Sequence, residues 1–451
     1  MRLLAGFATL LALAACGGGA GQSSMVDNRV VSAAVASLKF LPYQNGTNQL
    51  GHVSFIYAKD LDADGIDEIL FVGFAPQPNS PSRYSNTNIQ ILGWRNGQFA
   101  NLTAQWLPNN DHQVQGVGDV CFGDFNGDGK IDVFLSAYTD MNHAVHPYAL
   151  MNNGTHFTKV TFDPKTWMHG VVCKDVNNDG YDDVLVAGYS NLHYYLGSTN
   201  GLNAVQSTSM IAGSGIAVGD FLNTGSQQAV IVDTGIGFYN TNFDTGQDTK
   251  LYLLSTPADK SRVDFEFFAA LPAPRLDNQF ADLSKPNSSH DIRVIATDFD
   301  RDGKLDLVIF SYRFYASDMP ALHRSEIQFL SNQGHGVFKD VTDTIRLGYD
   351  STTVMGYYPQ VGDFNNDGLV DIFVSAPSAI DNVKGTTLLR QNQQGKFVAS
   401  ATTKLAQLVG QREQALIVNG PDNKKFLLVE KSWQQDGWSR VELYDFDTEL
   451  R

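Results

Sequence analysis

A nine-residue segment in which carboxylates alternate with other residues recurs five times in this chain of 451 residues. In the copy that starts at Asp298, acids stand at positions 1, 3, 5 and 9, and Gly303 stands at position 6. Calcium takes six to eight oxygen ligands, which alternate residues of a tight loop can supply, with the backbone carbonyl of position 7 as a further ligand. Glycine at position 6 permits the sharp turn. The segment therefore predicts a calcium-binding loop.

The other four copies start at Asp60, Asp124, Asp175 and Asp363. The predicted ligands at positions 1, 3, 5, 7 and 9, with position 7 acting through its backbone carbonyl, are Asp60, Asp62, Asp64, Ile66 and Glu68; Asp124, Asn126, Asp128, Lys130 and Asp132; Asp175, Asn177, Asp179, Tyr181 and Asp183; Asp298, Asp300, Asp302, Lys304 and Asp306; and Asp363, Asn365, Asp367, Leu369 and Asp371. Five matches to one spacing are a strong signal, so we expect about five calcium sites.

An EF-hand also begins with alternating acids, but it needs a bidentate glutamate at position 12 and two flanking helices. Position 12 of the five segments is apolar: Phe71, Leu135, Val186, Ile309 and Val374. Each of these residues lies in a short apolar run typical of a β-strand. The segments are therefore predicted to join two strands of a sheet.

These loops resemble those of the FG-GAP/VCBS repeat family, whose members include integrin alpha-chain propellers and many bacterial surface proteins. The resemblance covers the chain from about residue 36 to residue 451. It implies an all-β fold, a β-propeller whose blades are four-stranded antiparallel sheets, with the calcium loop between the first two strands. We call the strands of a blade a, b, c and d from the centre outwards.

Seven blades are predicted, because two further segments keep the strands but lose the acids. One follows Asp220, with Leu222, Thr224 and Gln228 at positions 3, 5 and 9, and the other follows residues 415–419. The last blade supplies only three strands before the sequence ends. We expect residues 37–41 to add its fourth strand and close the ring, which removes exposed sheet edges. Residues 260–290, rich in proline, are predicted to be an insertion.

The formal net charge of −16 is explained in large part by these loops, which hold seventeen acids at positions 1, 3, 5 and 9. Five divalent ions would leave about −6. A generally acidic surface is the alternative explanation, and both are expected to contribute. The chain has no basic character suited to nucleic acid, so no nucleic-acid partner is predicted.

The N-terminus predicts export. Arg2 precedes an apolar run over residues 3–13, which is typical of a secretory signal. The following Ala14-Ala15-Cys16-Gly17 resembles the bacterial lipobox. That resemblance implies a signal peptide over residues 1–15, lipidation of Cys16 and a lipid-anchored linker over residues 16–35. Gly17 favours the outer membrane of a Gram-negative bacterium, with the lipid as the only membrane contact; an ordinary signal peptide is the alternative.

Two further cysteines, Cys121 and Cys173, precede the second and third loops by three and two residues. An exported protein can form disulfides. Because one spacing is odd and the other even, the two cysteines are expected on opposite faces of their strands, as is needed for contact between strands of two neighbouring blades. An inter-blade disulfide is one outcome. A pair of buried free thiols is the other, and it is the one we expect.

Loops b–c and d–a share the propeller face opposite the calcium loops. In integrin alpha chains, which this arrangement resembles, that face contacts partners. Candidate ligand-binding aromatics there are Tyr84, Tyr138, Tyr312, Tyr315, Trp433 and Trp438. They are expected either to pack between neighbouring loops or to bind a carbohydrate or a surface protein.

No nucleophile elbow, H-E-x-x-H motif or phosphate loop occurs in the sequence, so a non-catalytic binding protein is favoured. A polysaccharide lyase on the same propeller, or a scaffold subunit of an outer-membrane assembly, stays open; a convergent cluster of Lys, Arg and His at the ring mouth would mark the lyase. The adjacent acids Asp67-Glu68 and Asp182-Asp183 point to opposite sides of a strand. We assign position 9 to the ion and position 8 to solvent.

Overall fold

The computed structural model describes residues 34, 36–40, 53–77, 80–109, 111–137, 144–166, 168–188, 191–209, 211, 213–232, 249–272, 275, 288–314, 324–347, 358–375, 386–409, 413–431 and 439–450. The side chains of some strand residues, among them residues 74–77, 80–86, 288–292, 311–314 and 324–325, are outside this description.

The described chain forms thirty-one strands. In order they are β1 (Ala36–Phe40), β2 (Val53–Lys59), β3 (Glu68–Gln77), β4 (Ser80–Asn88), β5 (Gln90–Arg95), β6 (Gln98–Asn101), β7 (Gln113–Gln115), β8 (Val117–Gly123), β9 (Asp132–Ala137), β10 (Tyr148–Asn152), β11 (Phe157–Thr161), β12 (Met168–Lys174), β13 (Asp183–Gly188), β14 (Asn191–Tyr195), β15 (Gln206–Ser209) and β16 (Gly215–Gly219). They continue as β17 (Gln228–Val232), β18 (Thr249–Ser255), β19 (Asp264–Ala270), β20 (Ser288–Thr297), β21 (Asp306–Phe314), β22 (Arg324–Asn332), β23 (Phe338–Asp340), β24 (Arg346–Leu347), β25 (Tyr358–Gly362), β26 (Asp371–Ser375), β27 (Thr387–Gln391), β28 (Phe397–Ser400), β29 (Gln414–Asn419), β30 (Lys425–Lys431) and β31 (Ser439–Asp445). Short helices span Thr103–Trp106, Thr342–Ile345, Thr402–Leu408 and Phe446–Leu450, and a 3-10 turn spans Pro421–Asn423.

These strands form seven antiparallel blades, which confirms the predicted seven-bladed propeller. In the order a to d, the blades are β2-β3-β5-β6, β8-β9-β10-β11, β12-β13-β14-β15, β16-β17-β18-β19, β20-β21-β22-β23, β25-β26-β27-β28 and β29-β30-β31-β1. Blade 1 also carries β4 and β7, and blade 6 carries β24, which pairs in parallel with β28.

Burial of strand b on both faces explains its sequence. Every residue of β9, β13, β17 and β26 is buried, and these strands are continuous apolar runs apart from their first residue and the serines Ser136 and Ser375. A strand covered on both faces reads as such a run, whereas an edge strand can be polar on its exposed side. The outer strand β19 is accordingly mostly exposed.

Seven apolar clusters hold neighbouring blades together, one for each junction of the ring. The cluster between blades 7 and 1 contains Leu416 and Leu428 from blade 7 and Ile69 and Phe71 from blade 1. Its presence shows that the sheets close into a circle. The burial of large apolar side chains in each cluster is the main stabilising contribution at these junctions.

The N-terminal strand closes the ring, as the sequence predicts. Strand β1 pairs antiparallel with β31 over Ala36 to Phe40, and Leu38 lies opposite Val441. One blade therefore contains strands from both ends of the described chain. The pairing covers what would otherwise be the exposed edge of β31.

Two sequence-based expectations are wrong. Residues 260–290 are not an insertion throughout, because Asp264–Ala270 forms the outer strand β19 of blade 4 and pairs with β18. The cysteines are not free thiols: Cys121 on β8 and Cys173 on β12 form a disulfide with a Cα–Cα distance of 5.5 Å. The innermost strands of blades 2 and 3 approach closely enough at this level to join the two sulfur atoms.

Among the described residues, none of the helices combines the length and the apolar character needed to cross a membrane. Residues 1–33, which hold the predicted signal peptide, Cys16 and most of the linker, lie outside the described part of the chain.

Candidate metal centre

Each acidic loop joins strands a and b and is already curled around its first carboxylate. Numbered by the blade that carries them, the acidic loops are loops 1, 2, 3, 5 and 6, which start at Asp60, Asp124, Asp175, Asp298 and Asp363. In loop 1, Asp60 accepts hydrogen bonds from the backbone N–H groups of Asp64 at 3.1 Å and Gly65 at 2.8 Å. The equivalent bonds to Asp124, Asp175, Asp298 and Asp363 recur in the other four loops. Gly65 has a φ of 86°, which an L-residue rarely adopts, so the glycine at position 6 is needed for this turn.

Two of the loops gather three acids closely enough to share one ion. Asp60, Asp62 and Glu68 have ligand oxygens within 4.8 Å of one another, and so do Asp298, Asp300 and Asp302. Within the first group, Oδ1 of Asp62 is buried and has no hydrogen-bond partner. A buried unpartnered carboxylate oxygen is costly, and a calcium ion is the kind of partner it fits. The residues of loop 1 therefore suit a divalent cation.

Loops 2, 3 and 6 differ because position 3 is an asparagine. Asn126, Asn177 and Asn365 each accept the N–H of position 5 through Oδ1, at 3.0–3.1 Å. An amide oxygen is a neutral calcium ligand, so these loops could hold the same ion with one negative charge fewer.

Basic side chains partly neutralise three of the loops. Arg95 pairs with Asp62 at 2.8 Å, Lys130 with Asp128 at 2.6 Å, and Lys304 with Asp302. Position 7 thus contributes a cation in loops 2 and 5 in addition to its backbone carbonyl. A bound divalent cation would compete with these basic side chains for the same carboxylates.

The acid at position 9 holds the loop to the rest of its blade and is also a predicted ligand. Asp306 is fully buried, and its two oxygens accept the N–H groups of Phe299 at 3.1 Å and Asn332 at 2.7 Å. Asp132, Asp183 and Asp371 make the same pair of bonds, to position 2 of their own loop and to a backbone N–H at the end of strand c or, for Asp183, just beyond it. In loop 1, Glu68 makes the bond to position 2.

Burial raises the pKa of every one of these acids. The pKa rises to about 6 for Asp132 and Asp371, to about 7 for Asp183 and Asp306, and to about 8 for Glu68. A nearby divalent cation would favour the ionised form and oppose this effect.

Three side-chain amides at the ends of strand c are site residues that our sequence analysis missed. Asn152, Asn332 and Gln391 each donate to the backbone carbonyl of position 2 in the loop of the preceding blade, at 2.7–2.9 Å. Each is followed within a few residues by glycine and then phenylalanine, as in Asn152-Asn153-Gly154-Thr155-His156-Phe157. That local pattern is the signal that could have identified them.

The acids at position 8 do not face solvent, contrary to expectation. Asp67 is 9 % exposed and accepts the N–H of Asn419 in blade 7 at 2.7 Å, while its own N–H donates to the Asn419 carbonyl. Asp182 makes the matching pair of bonds with Asp124 of blade 2. Position 8 lies at the junction with the preceding blade, so these carboxylates join blades.

The loop of blade 4 keeps the fold but not the charge. Asp220 accepts the N–H groups of Thr224 and Gly225, as the first acid does elsewhere. At position 9, Gln228 is buried and accepts the N–H of Leu222 at 3.0 Å. A neutral amide thus replaces the position 9 carboxylate, as expected for a blade without a metal site.

A polar cluster spans the centre of the ring. The Tyr57 hydroxyl of blade 1 donates to Asp119 of blade 2 at 2.9 Å, and Arg293 of blade 5 forms an ion pair with Asp119. Arg293 also donates to the Tyr57 hydroxyl at 3.3 Å. Burial and the Asp119 carboxylate raise the pKa of Tyr57 well above its usual value, so this phenol stays protonated at neutral pH.

Of the six predicted ligand-binding aromatics, two lie on described strands. Tyr138, Tyr315, Trp433 and Trp438 lie outside the described residues. Tyr84 and Tyr312 lie on β4 and β21, but their side chains are outside the description.

Comparison with known proteins supports the repeat assignment. The model of the FG-GAP-like repeat matches residues 60–135, 124–186 and 298–374. These three matches contain all five acidic loops. A search of curated proteins gives no match.

Solved structures with a similar course of the chain share little sequence with it. A lectin of Agrocybe aegerita, whose structure concerns recognition of non-reducing terminal N-acetylglucosamine, has 14% identity, covers 79% of this chain and 88% of its own, and gives a TM-score of 0.40. The Vibrio cholerae biofilm matrix protein Bap1 has 14% identity, with 90% and 67% covered and a TM-score of 0.36. A Lactobacillus plantarum protein has 11% identity, with 80% and 94% covered and a TM-score of 0.43.

Three repeat matches and a closed ring of seven four-stranded sheets lead to one assignment: the chain is a seven-bladed β-propeller that carries FG-GAP-like repeats.

Proposed function

We propose that this protein is a calcium-stabilised propeller that binds a carbohydrate or protein partner without catalysing a reaction. The observation that carries the calcium assignment is the buried, unpartnered Oδ1 of Asp62 beside Asp60 and Glu68. An oxygen in that setting gains a partner when a cation binds, so ion binding stabilises the folded protein.

The roles of the loop residues follow from their contacts. The acid at position 1 holds the turn through two backbone bonds, and the acid at position 9 fixes the loop to strand c. A bound calcium ion would supply the positive charge that offsets repulsion among the remaining carboxylates. All five loops lie on one face, because each joins strand a to strand b in antiparallel blades.

The opposite face is the proposed recognition surface. In blade 1, β3 continues beyond its partner β2 and pairs with β4, which pairs with β7. In blade 5, β21 and β22 pair as far as Arg313 and Arg324 on the same face. These extensions enlarge the face without touching the metal loops, and the candidate aromatics Tyr84 and Tyr312 lie on them.

A binding role is favoured over a lyase by the central cluster. Its cation, Arg293, is paired with Asp119, and its phenol, Tyr57, is kept protonated. A lyase would need a cation that faces its substrate, and in this cluster the cation is already held by the Asp119 carboxylate. The cluster instead links blades 1, 2 and 5.

We further propose that the protein is exported and attached to the outer membrane through a lipid on Cys16, with residues 16–35 as a tether. Metabolic labelling with a palmitate analogue, compared between the full chain and Cys16→Ser, tests this. Labelling that persists in the variant would contradict it.

The function is tested on a protein lacking residues 1–16. Calcium titration by calorimetry should give about five bound ions, and excess chelator should lower the melting temperature. A glycan array and a pull-down with the same protein then identify the partner. A melting curve that is the same in chelator and in calcium would refute the metal role, and an empty array together with an empty pull-down would refute the recognition role.

A further inference from the structure

We propose that calcium binding is coupled between neighbouring loops, between loops 5 and 6 through Gln391 and between loops 1 and 2 through Asn152, and that these two pairs are independent of each other. Binding at one loop then strengthens binding at its neighbour. This inference rests on the calcium binding proposed above and concerns how the sites communicate.

Gln391 lies between two loops and bonds to both. Its side-chain Nε2 donates to the Phe299 carbonyl at position 2 of loop 5, at 2.7 Å. Its backbone N–H donates to Asp371, the position 9 acid of loop 6, at 3.3 Å. Gln391 is 3 % exposed, so water does not readily replace either bond.

The connection continues into loop 5 itself. The carbonyl that accepts from Gln391 belongs to Phe299. The N–H of the same residue donates to Asp306 at 3.1 Å. Three hydrogen bonds, connected through the covalent frames of Gln391 and Phe299, therefore link the position 9 acid of loop 6 to the position 9 acid of loop 5. Both carboxylates are predicted ligands.

Asn152 makes the same connection in blades 1 and 2. Its side chain donates to the Leu61 carbonyl at 2.8 Å, and its N–H donates to Asp132 at 2.7 Å. The Leu61 N–H in turn donates to Glu68 at 3.0 Å. Loops 1 and 2 are thus joined in the same way as loops 5 and 6.

Ordering of these shared groups provides the coupling. An ion in loop 6 would fix Asp371, which orients Gln391 and through it the Phe299 peptide of loop 5. An ion that binds a loop already ordered in this way pays less conformational entropy. The effect must be reciprocal, because coupling free energy belongs to the pair of sites.

The chain contains a natural control. Asn332 donates to the Phe221 carbonyl of blade 4 at 2.9 Å and to Asp306 through its N–H at 2.7 Å. The blade 4 loop has lost the acids at positions 3, 5 and 9. Asn332 therefore holds a loop that lacks the predicted ligands, and its side chain also donates to the Leu305 carbonyl of loop 5 at 3.0 Å. Replacing Asn332 should change stability and the loop 5 midpoint itself, but not the shift that a change in loop 6 causes.

Hydrogen–deuterium exchange across a calcium titration reads each loop separately. In the protein lacking residues 1–16, Asp367→Ala should raise the calcium midpoint of the loop 5 peptide, residues 298–306, at least fivefold. The midpoint of the loop 1 peptide, residues 60–68, should stay within twofold. In the Gln391→Met variant, adding Asp367→Ala should not change the calcium midpoint of loop 5 any further. In the Asn332→Met variant, adding Asp367→Ala should still raise that midpoint by the full factor.

The opposite perturbation gives a test that does not depend on Gln391→Met folding. Asp302→Ala should raise the midpoint of loop 6, residues 363–371, by the same factor. Unequal factors, an equal shift in loop 1, or a shift that survives Gln391→Met would each overturn the coupling while leaving calcium binding intact. No calcium-dependent protection in any wild-type loop would overturn the proposed function and the coupling together.

Discussion

Replacing the acid at position 9 should destabilise the protein even without calcium, whereas replacing the acid at position 5 should not. Asp306 is fully buried and accepts two backbone N–H groups. In Asp306→Ala both donors lose their partner, at about 1–3 kcal/mol each. Relief of the burial that raises the pKa of Asp306 to about 7 offsets part of this, so we expect a loss of about 2–4 kcal/mol in chelator.

Asp302 is the matched comparison within the same loop. Its side chain is 38 % exposed and pairs with Lys304, and exposed ion pairs contribute roughly 0–1 kcal/mol. In chelator, Asp302→Ala should therefore be close to the wild type. With calcium at about 100 times its dissociation constant, loss of one site removes roughly 2.7 kcal/mol of stability. In calcium, both variants should therefore have a lower free energy of unfolding than the wild type.

Urea unfolding followed by tryptophan fluorescence measures how far the free energy of unfolding of each variant differs from that of the wild type, once in chelator and once in calcium. Asp306→Asn is a further control, because it keeps one acceptor oxygen and should cost less than Asp306→Ala. Equal losses of stability for Asp306→Ala and Asp302→Ala in chelator would refute the structural role of the position 9 acid.

The disulfide joins residues 52 apart in sequence, so replacing both Cys121 and Cys173 with serine should lower the free energy of unfolding by about 2–4 kcal/mol; an unchanged urea midpoint would contradict this. Burial, reinforced by Glu413, raises the pKa of Glu430 from 4.5 to about 8, and neither of its oxygens has a hydrogen-bond partner. The folded protein then holds a proton that the unfolded chain releases, so this contribution is complete below about pH 4.5 and is lost as the pH rises to about 8, by up to roughly 5 kcal/mol. Glu430→Gln should reduce the loss of stability with rising pH in urea titrations, and an unchanged pH dependence would exclude a contribution from Glu430. Deleting residues up to 40 removes β1 and exposes the edge of β31, so the melting temperature should fall and light scattering should show association; a monomer of unchanged stability would argue against closure by β1.

The repeat, the class of fold and the number of blades could be read from local patterns. Acids at fixed positions around Gly303, followed by apolar runs, identify a tight turn between strands, because both features depend on residues adjacent in sequence. Ring closure by residues 37–41 was also predictable, since the last blade lacked a strand. The outer strand Asp264–Ala270 was missed because edge strands have weak patterns and prolines follow it.

The partners of the loop acids were not predictable from local patterns, because they lie in other strands or other blades. Asp67 meets Asn419, which is 352 residues away, and Gln391 meets Phe299, which is 92 away. Spacing within a loop shows that an acid can reach an ion, but it does not show what else the same oxygens contact. Alternation along a strand likewise indicates which side Cys121 faces, and only the closeness of strands β8 and β12 shows that Cys173 is there to bond with it. Local chemistry is written in neighbouring residues, while the contacts that tie the loops into one ring arise when distant segments pack together.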